Sequence, residues 1–196
     1  MFVKKLSINI LTLYEMFYKG LRRGILIFYA NTFKLLTSKH MRLQKGDSKM
    51  QFQLQFITDE LPQTPVHINQ RTAVRGVIHY QNKILMVQTN CGDYKFPGGG
   101  MEEDETEKET LLREITEETG YTNVHIGLKI GETFEQNIDT EDPNSYFQMK
   151  SCYYECWLMS DKRAPGVLDD YEEKLGFRGT FVTVEEAYQS NLSLLK

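Results

Sequence analysis

Gly99–Tyr121 reads GGMEEDETEKETLLREITEETGY, and its spacing decides the fold. From Thr106 to Thr119 there is no Gly or Pro, and Glu, Lys, Leu and Arg dominate. That composition predicts a helix. Gly120 stands where a helix takes its left-handed stop. Thr106 with Glu109 offers a capping box, and Asp104 is a rival cap. Acidic residues crowd the first turn, where the helix dipole favours them. On such a helix Glu114, Glu117 and Glu118 stand at i, i+3 and i+4 and share one face. Leu111, Leu112 and Ile115 are expected to supply apolar contacts on another stripe. Like charges on one face repel, and a divalent cation reverses the sign of that term. Hard oxygen ligands favour Mg²⁺, with Mn²⁺ as substitute, over zinc.

An isolated EITEE would read as a solvated acidic face. Here Gly99, Glu105, Arg113, Glu114, Ile115, Glu117, Glu118, Gly120 and Tyr121 stand at set distances. In that full context the stretch resembles the Nudix box, the signature of hydrolases acting on a nucleoside diphosphate linked to another group. The resemblance implies a catalytic role for Glu117, Arg113 and Glu114. It implies metal ligation by Gly99, through its backbone carbonyl, and by Glu114, Glu117 and Glu118. Arg113 resembles the arginine that orients the catalytic glutamate by an ion pair. Its plainer reading is a surface partner for Glu109 or Glu117. Glu105 resembles a box glutamate that supports the loop, and Glu102 fits a weaker preference. Asp104, Thr110 and Tyr121 depart from common family choices without breaking the box.

Lys95-Phe96-Pro97-Gly98-Gly99-Gly100 leads into the helix. Glycines let a backbone approach a ligand closely. Gly98, Gly99 and Gly100 are therefore substrate-binding candidates, although three glycines alone would mean only a tight turn. The loop is not a P-loop, because no Gly-Lys-Ser/Thr follows.

The resemblance implies hydrolysis of a diphosphate linkage by metal-activated water, hence a pyrophosphatase. A carboxylate would act as general base. Glu117 is the candidate within the box. Glu132 and Glu135, or Asp170, Glu172 and Glu173 in a later acidic loop, are the candidates outside it. The plainer reading of that loop, and the one its composition favours, is a solvated surface turn. The substrate class stays open among nucleoside triphosphates, ADP-ribose, dinucleoside polyphosphates and nucleotide sugars. Tyr94, Phe96, Phe134, Tyr146 and Phe147 are either base-stacking or core residues. The alternative function is a nucleotide-binding sensor without turnover; such proteins usually lose box glutamates, and this chain keeps them.

Charge divides the chain. Residues 1–49 carry ten Lys/Arg against two Asp/Glu, while the 196-residue whole has a formal net charge of −4. The acidic remainder argues against nucleic-acid binding. The basic, apolar segment is too interrupted for a bilayer span of roughly 20 residues. It reads as a dispensable or mis-started extension, a membrane-surface helix making weak contact, or a targeting peptide. Met41 and Met50 are both plausible starts. The expected division is an extension over 1–49 and a catalytic domain over 50–196. Cys91, Cys152 and Cys156 suit neither a disulfide framework nor a zinc site. They point to a reducing, cytoplasmic setting, with Cys152 and Cys156 packed on one strand face. A homodimer is compatible with all of this.

From Met50 onward, strands are expected at Gln51–Ile57, Arg71–Tyr80, Lys83–Thr89, Tyr94–Phe96, Val124–Thr133 (one strand or a pair), Tyr146–Ser160 and Phe177–Val182. A hairpin turns at Gln81-Asn82. Leu61–Pro65 and Asp139–Ser145 read as loops. Thr183, with Glu186 three residues on, caps a helix to Asn191. The order implies an α/β protein with a Nudix-type α/β/α sandwich around a mixed β-sheet, plus the N-terminal extension.

Overall fold

A computed structural model describes residues 41–45, 50–57, 64–165 and 167–194. The readings made of residues 1–40, and most of the loop reading at 61–65, lie outside the described residues. Among the described residues eight strands form one mixed sheet: β1 (Met41–Lys45), β2 (Met50–Ile57), β3 (Ile68–Tyr80), β4 (Lys83–Gln88), β5 (Tyr94–Lys95), β6 (Val124–Ile138), β7 (Tyr146–Leu158) and β8 (Arg178–Val182). Among the described residues three helices accompany them: α1 (Glu107–Thr119), α2 (Asp170–Lys174) and α3 (Val184–Ser193). The sheet order is β1-β2-β6-β7-β3-β4-β5, and β8 also pairs with β4. The β2–β6 and β3–β7 pairs are parallel, and the others are antiparallel.

Period-two burial splits the sheet into two apolar faces. Val74, Ile78, Leu85, Cys152, Tyr154 and Cys156 pack with Leu111 and Ile115 of α1. Phe52, Leu54, Val77, Met86 and Tyr153 pack on the other face with Ala187 of α3. A helix on each face gives the expected α/β/α layering. Cys152 and Cys156 are buried as expected, and Cys91 is exposed.

The helix that carries the acidic face begins and ends as its sequence dictates. Thr106 is its N-cap, with both halves of the capping box to Glu109 formed, so Asp104 does not cap it. Gly120 closes it at φ 76°, and its N–H donates to the Thr116 carbonyl. Leu111 and Ile115 are fully buried, but Leu112 is 40 % exposed, contrary to expectation. One residue of offset rotates a side chain by about 100°, enough to take Leu112 off the packed stripe.

Other boundaries also move. Val124–Thr133 is part of one long strand reaching Ile138, bent by register shifts at Ile126–Gly131. The acidic loop contains a short helix, α2, capped by Asp169 with Glu172 returning to the cap backbone. Gln81 turns the β3–β4 hairpin at φ 54°. Thr183 and Glu186 form the capping box of α3 as read from sequence.

Candidate active site

Arg113 organises one side of the site. Its Nε donates to Glu105 Oε1 at 2.6 Å and its Nη2 to Glu105 Oε2 at 2.8 Å. Nη1 donates to Glu114 Oε1 at 2.9 Å and to Glu117 Oε2 at 3.1 Å, while Nη2 also reaches the Gly100 carbonyl. One guanidinium thus ties the glycine loop to three carboxylates, a use of its planar fork that lysine could not copy. The pairing with Arg113 holds the Glu105 carboxyl down at about 2, helped by the Thr110 hydroxyl. Glu109, the plainer partner for Arg113, is occupied instead with Thr106.

The glycine loop is held against β3 and α1. Gly99 O accepts from Val74 N–H at 2.9 Å, and Gly76 N–H donates to Pro97 O at 2.9 Å. Gly98 lies at φ 135°, and a Cβ there would collide with the Val74 carbonyl. A Cβ on Gly99 would overlap the Glu114 carboxylate. The glycines therefore permit a contact between loop backbone and acidic side chains that no other residue allows. Gly98 N–H donates to Glu118 Oε2 at 2.8 Å.

The expected trio does not converge as a trio. Glu114 and Glu118 come together with Glu172, each offering an oxygen within 4.8 Å of the others. The Glu117 side chain is 36 % exposed and leans on Arg113. Helical spacing puts Glu117 on the same face, but it sits nearer the rim. Burial, followed by the charge of Glu118, raises the Glu114 pKa. Burial also raises that of Glu172, with Glu118 again adding to the shift. Glu118 is almost fully buried, and among the described residues its Oε1 is met by the Lys95 ammonium. The two charges lie 2.8 Å apart and form a buried ion pair. Burial lowers the Lys95 pKa, opposed by Glu118.

Three converging carboxylates, one of them paired with a buried ammonium, are a hard-oxygen donor set of the kind a divalent cation takes. Two of these carboxylates come from the box helix, and the third comes from α2. The sequence named Glu172 as a candidate base; its convergence with Glu114 and Glu118 depends on tertiary structure. Sequence alone does not mark Lys95 and Phe177 as site residues. The only local signal was that Lys95 immediately precedes the Phe-Pro-Gly-Gly turn.

Several other candidates are engaged elsewhere. Glu132 is held by Lys129 at 2.7 Å and Lys150 at 3.0 Å. Glu135 is buried, while Asp170 and Glu173 are exposed. Phe96 is a core residue packed edge-on to Tyr153, and the Tyr94 hydroxyl accepts from Gln88. Phe134, Tyr146 and Phe147 are half-buried. Beside the carboxylates lies a cleft of about 470 Å³ whose lining includes Glu117, Glu118, Arg163, Phe177 and Arg178. A separate cleft at His79, Glu155 and Trp157 includes no box residue. Among the described residues, no helix is long and apolar enough to cross a membrane.

The fold defines the class, an α/β/α domain whose glycine loop faces a cluster of carboxylates. The match to the NUDIX domain spans residues 69–194, and the chain belongs to that family. A curated relative, an ADP-ribose pyrophosphatase of Methanocaldococcus jannaschii, is 37 % identical over 65 residues. That match covers 31 % of this chain and 38 % of the relative, so the chain spans well under half the relative's length. Among solved structures, an ADP-ribose pyrophosphatase of Streptococcus suis is 18 % identical, with a TM-score of 0.41. It aligns over 64 % of this chain and 92 % of its own. A NUDIX hydrolase from Nitrosomonas europaea is also 18 % identical, with a TM-score of 0.45, covering 63 % of this chain and 79 % of its own.

Proposed function

We propose that this protein is a Nudix pyrophosphohydrolase that uses Mg²⁺, or Mn²⁺ in its place, to cleave the diphosphate linkage of a nucleoside diphosphate derivative. The convergence of Glu114, Glu118 and Glu172, each offering a carboxylate oxygen to one confined space, carries the reading. These three side chains, with the Gly99 carbonyl, would hold the metal, and Glu117 would join them from the rim. Such an ion polarises phosphoryl oxygens and makes bound water more acidic.

The chain's own residues supply the rest. Arg113 fixes Glu114 and Glu117 in one orientation and fastens both to the loop through Glu105 and the Gly100 carbonyl. Glu117, half-exposed at the rim, takes the proton from the attacking water; Glu172, on α2, is the alternative base within reach of the same cluster. Gly98–Gly100 let the diphosphate lie against backbone rather than side chain. The cationic wall of Arg163 and Arg178 offers charge to the remainder of the substrate. ADP-ribose is the leading substrate, supported by the name of the curated relative. The free thiols fit a cytoplasmic setting.

The test is a panel of ADP-ribose, nucleoside triphosphates, dinucleoside polyphosphates and nucleotide sugars, each with Mg²⁺ and with Mn²⁺. Released phosphate, pyrophosphate and nucleoside monophosphate are measured. Metal-dependent release of a nucleoside monophosphate is expected. Nucleotide binding with no turnover across the panel would identify a sensor instead.

A further inference from the structure

Glu118 has two oxygens, and each faces a different kind of partner. Oε2 is committed to the Gly98 N–H at 2.8 Å. Oε1 faces Lys95 Nζ, also at 2.8 Å. The Lys95 side chain is only 11 % exposed, so its ammonium does not sit on a solvated stem. Its backbone is fixed by pairing with Val87 in the sheet. Its Nζ lies 3.5 Å from the centroid of the Phe177 ring, whose π face attracts a cation. Phe177 follows α2, the segment that carries Glu172. The ammonium thus touches α1, the strand feeding the glycine loop and the stretch next to Glu172.

We propose that Lys95 is a built-in counter-cation of the carboxylate cluster, competing with a divalent metal for Glu118 Oε1 and so setting the metal concentration at which the site fills. The inference rests on the metal-site reading above. Three carboxylates in a confined space repel one another, and a buried ammonium among them offsets that repulsion. The same ammonium opposes a second cation at the same oxygen. A dipositive ion bound by Glu118 therefore requires Lys95 to give up Oε1. Phe177 resists that movement, because its ring is the other surface on which the ammonium rests. A site built this way is stable without a metal and discriminates against low metal concentrations.

The experiment measures Mn²⁺ binding by the full chain, from the electron paramagnetic resonance of free Mn²⁺. The proteins are wild type, Lys95→Met, Phe177→Leu and Glu118→Gln. Thermal midpoints are recorded in EDTA and in saturating Mn²⁺. Lys95→Met is expected to bind Mn²⁺ about tenfold more tightly, the scale of removing one nearby like charge. Its midpoint in EDTA should fall below that of wild type, with the gap closing in Mn²⁺. Phe177→Leu should shift affinity in the same direction by less, which keeps the test decisive if Lys95→Met does not fold. Wild-type or weaker Mn²⁺ affinity in these variants overturns the role of Lys95. If that occurs while Glu118→Gln still weakens binding, the metal site stands and only the counter-cation falls. Unchanged binding in Glu118→Gln removes the metal site and the inference together.

Discussion

Arg113 grips Glu105 through two parallel charge-assisted hydrogen bonds, at 2.6 and 2.8 Å. This pair fastens the start of the glycine-to-helix turn to the face that carries Glu114 and Glu117. A pH dependence follows. The Glu105 pKa is lowered from an ordinary value of 4.5 to about 2 in the fold. A depressed folded pKa stabilises above the unfolded value, and that stability is lost as pH falls through the folded one. The melting-temperature difference between wild type and Glu105→Gln should therefore be constant above about pH 5. It should shrink from about 4.5 downward and vanish near 2. A difference that ignores pH over that window would show that the Glu105 charge contributes nothing.

The carboxylates of α1 should separate by burial. Glu118→Gln removes a buried charge facing Lys95, and Glu117→Gln removes one at the rim. Each should lower kcat by at least roughly 10²-fold, the scale of losing a metal ligand or a general base. Circular dichroism should show the fold intact. Glu118→Gln should also lose Mn²⁺ affinity, whereas Glu117→Gln should lose less. Near-wild-type turnover in Glu114→Gln, Glu117→Gln and Glu118→Gln alike would remove the proposed site.

Glu172 tests whether α2 belongs to the site. Glu172→Gln should lower both kcat and Mn²⁺ affinity by about tenfold, because the structure groups its carboxylate with Glu114 and Glu118. Glu172 also closes the capping box with Asp169. Asp169→Asn, which keeps a capping side chain, serves as the control and should leave metal affinity unchanged. Wild-type kcat, KM and metal affinity in Glu172→Gln would return this segment to a solvated turn.

The box helix was legible because its information is local. Thr106, Glu109 and Gly120 mark its ends through hydrogen bonds within a few residues, and the acidic spacing maps directly onto one face. Strand alternation likewise placed Cys152 and Cys156 in the core. What sequence did not reveal is long-range. Glu118 meets Lys95 across twenty-three positions and Glu172 across fifty-four, and no periodicity encodes either meeting. Leu112 shows the same limit at small scale, since its apolar character says nothing of which side of α1 the sheet covers. The helix α2 is hidden in the sequence because five residues carry too little pattern, although Asp169 and Glu172 form a capping box.

The N-terminal boundary can be settled by comparing proteins that begin at Met1, Met41 and Met50. We propose that the catalytic unit begins at Met50. In the structure β1 pairs antiparallel with β2, while β2 pairs on its other side with β6. Phe52 and Leu54 of β2 are buried in the core, so the sheet stays anchored when β1 is removed. The Met50 protein should then be soluble, monodisperse and fully active on soluble substrate. Its new edge strand carries Gln53 and Gln55 on the exposed face, which limits edge-to-edge association. If residues 1–49 act at a membrane surface, the Met1 protein alone should bind anionic vesicles, and salt should weaken that binding. An insoluble or inactive Met50 protein beside an active Met41 protein would move the boundary to β1. That result would make its pairing with β2 part of the catalytic fold.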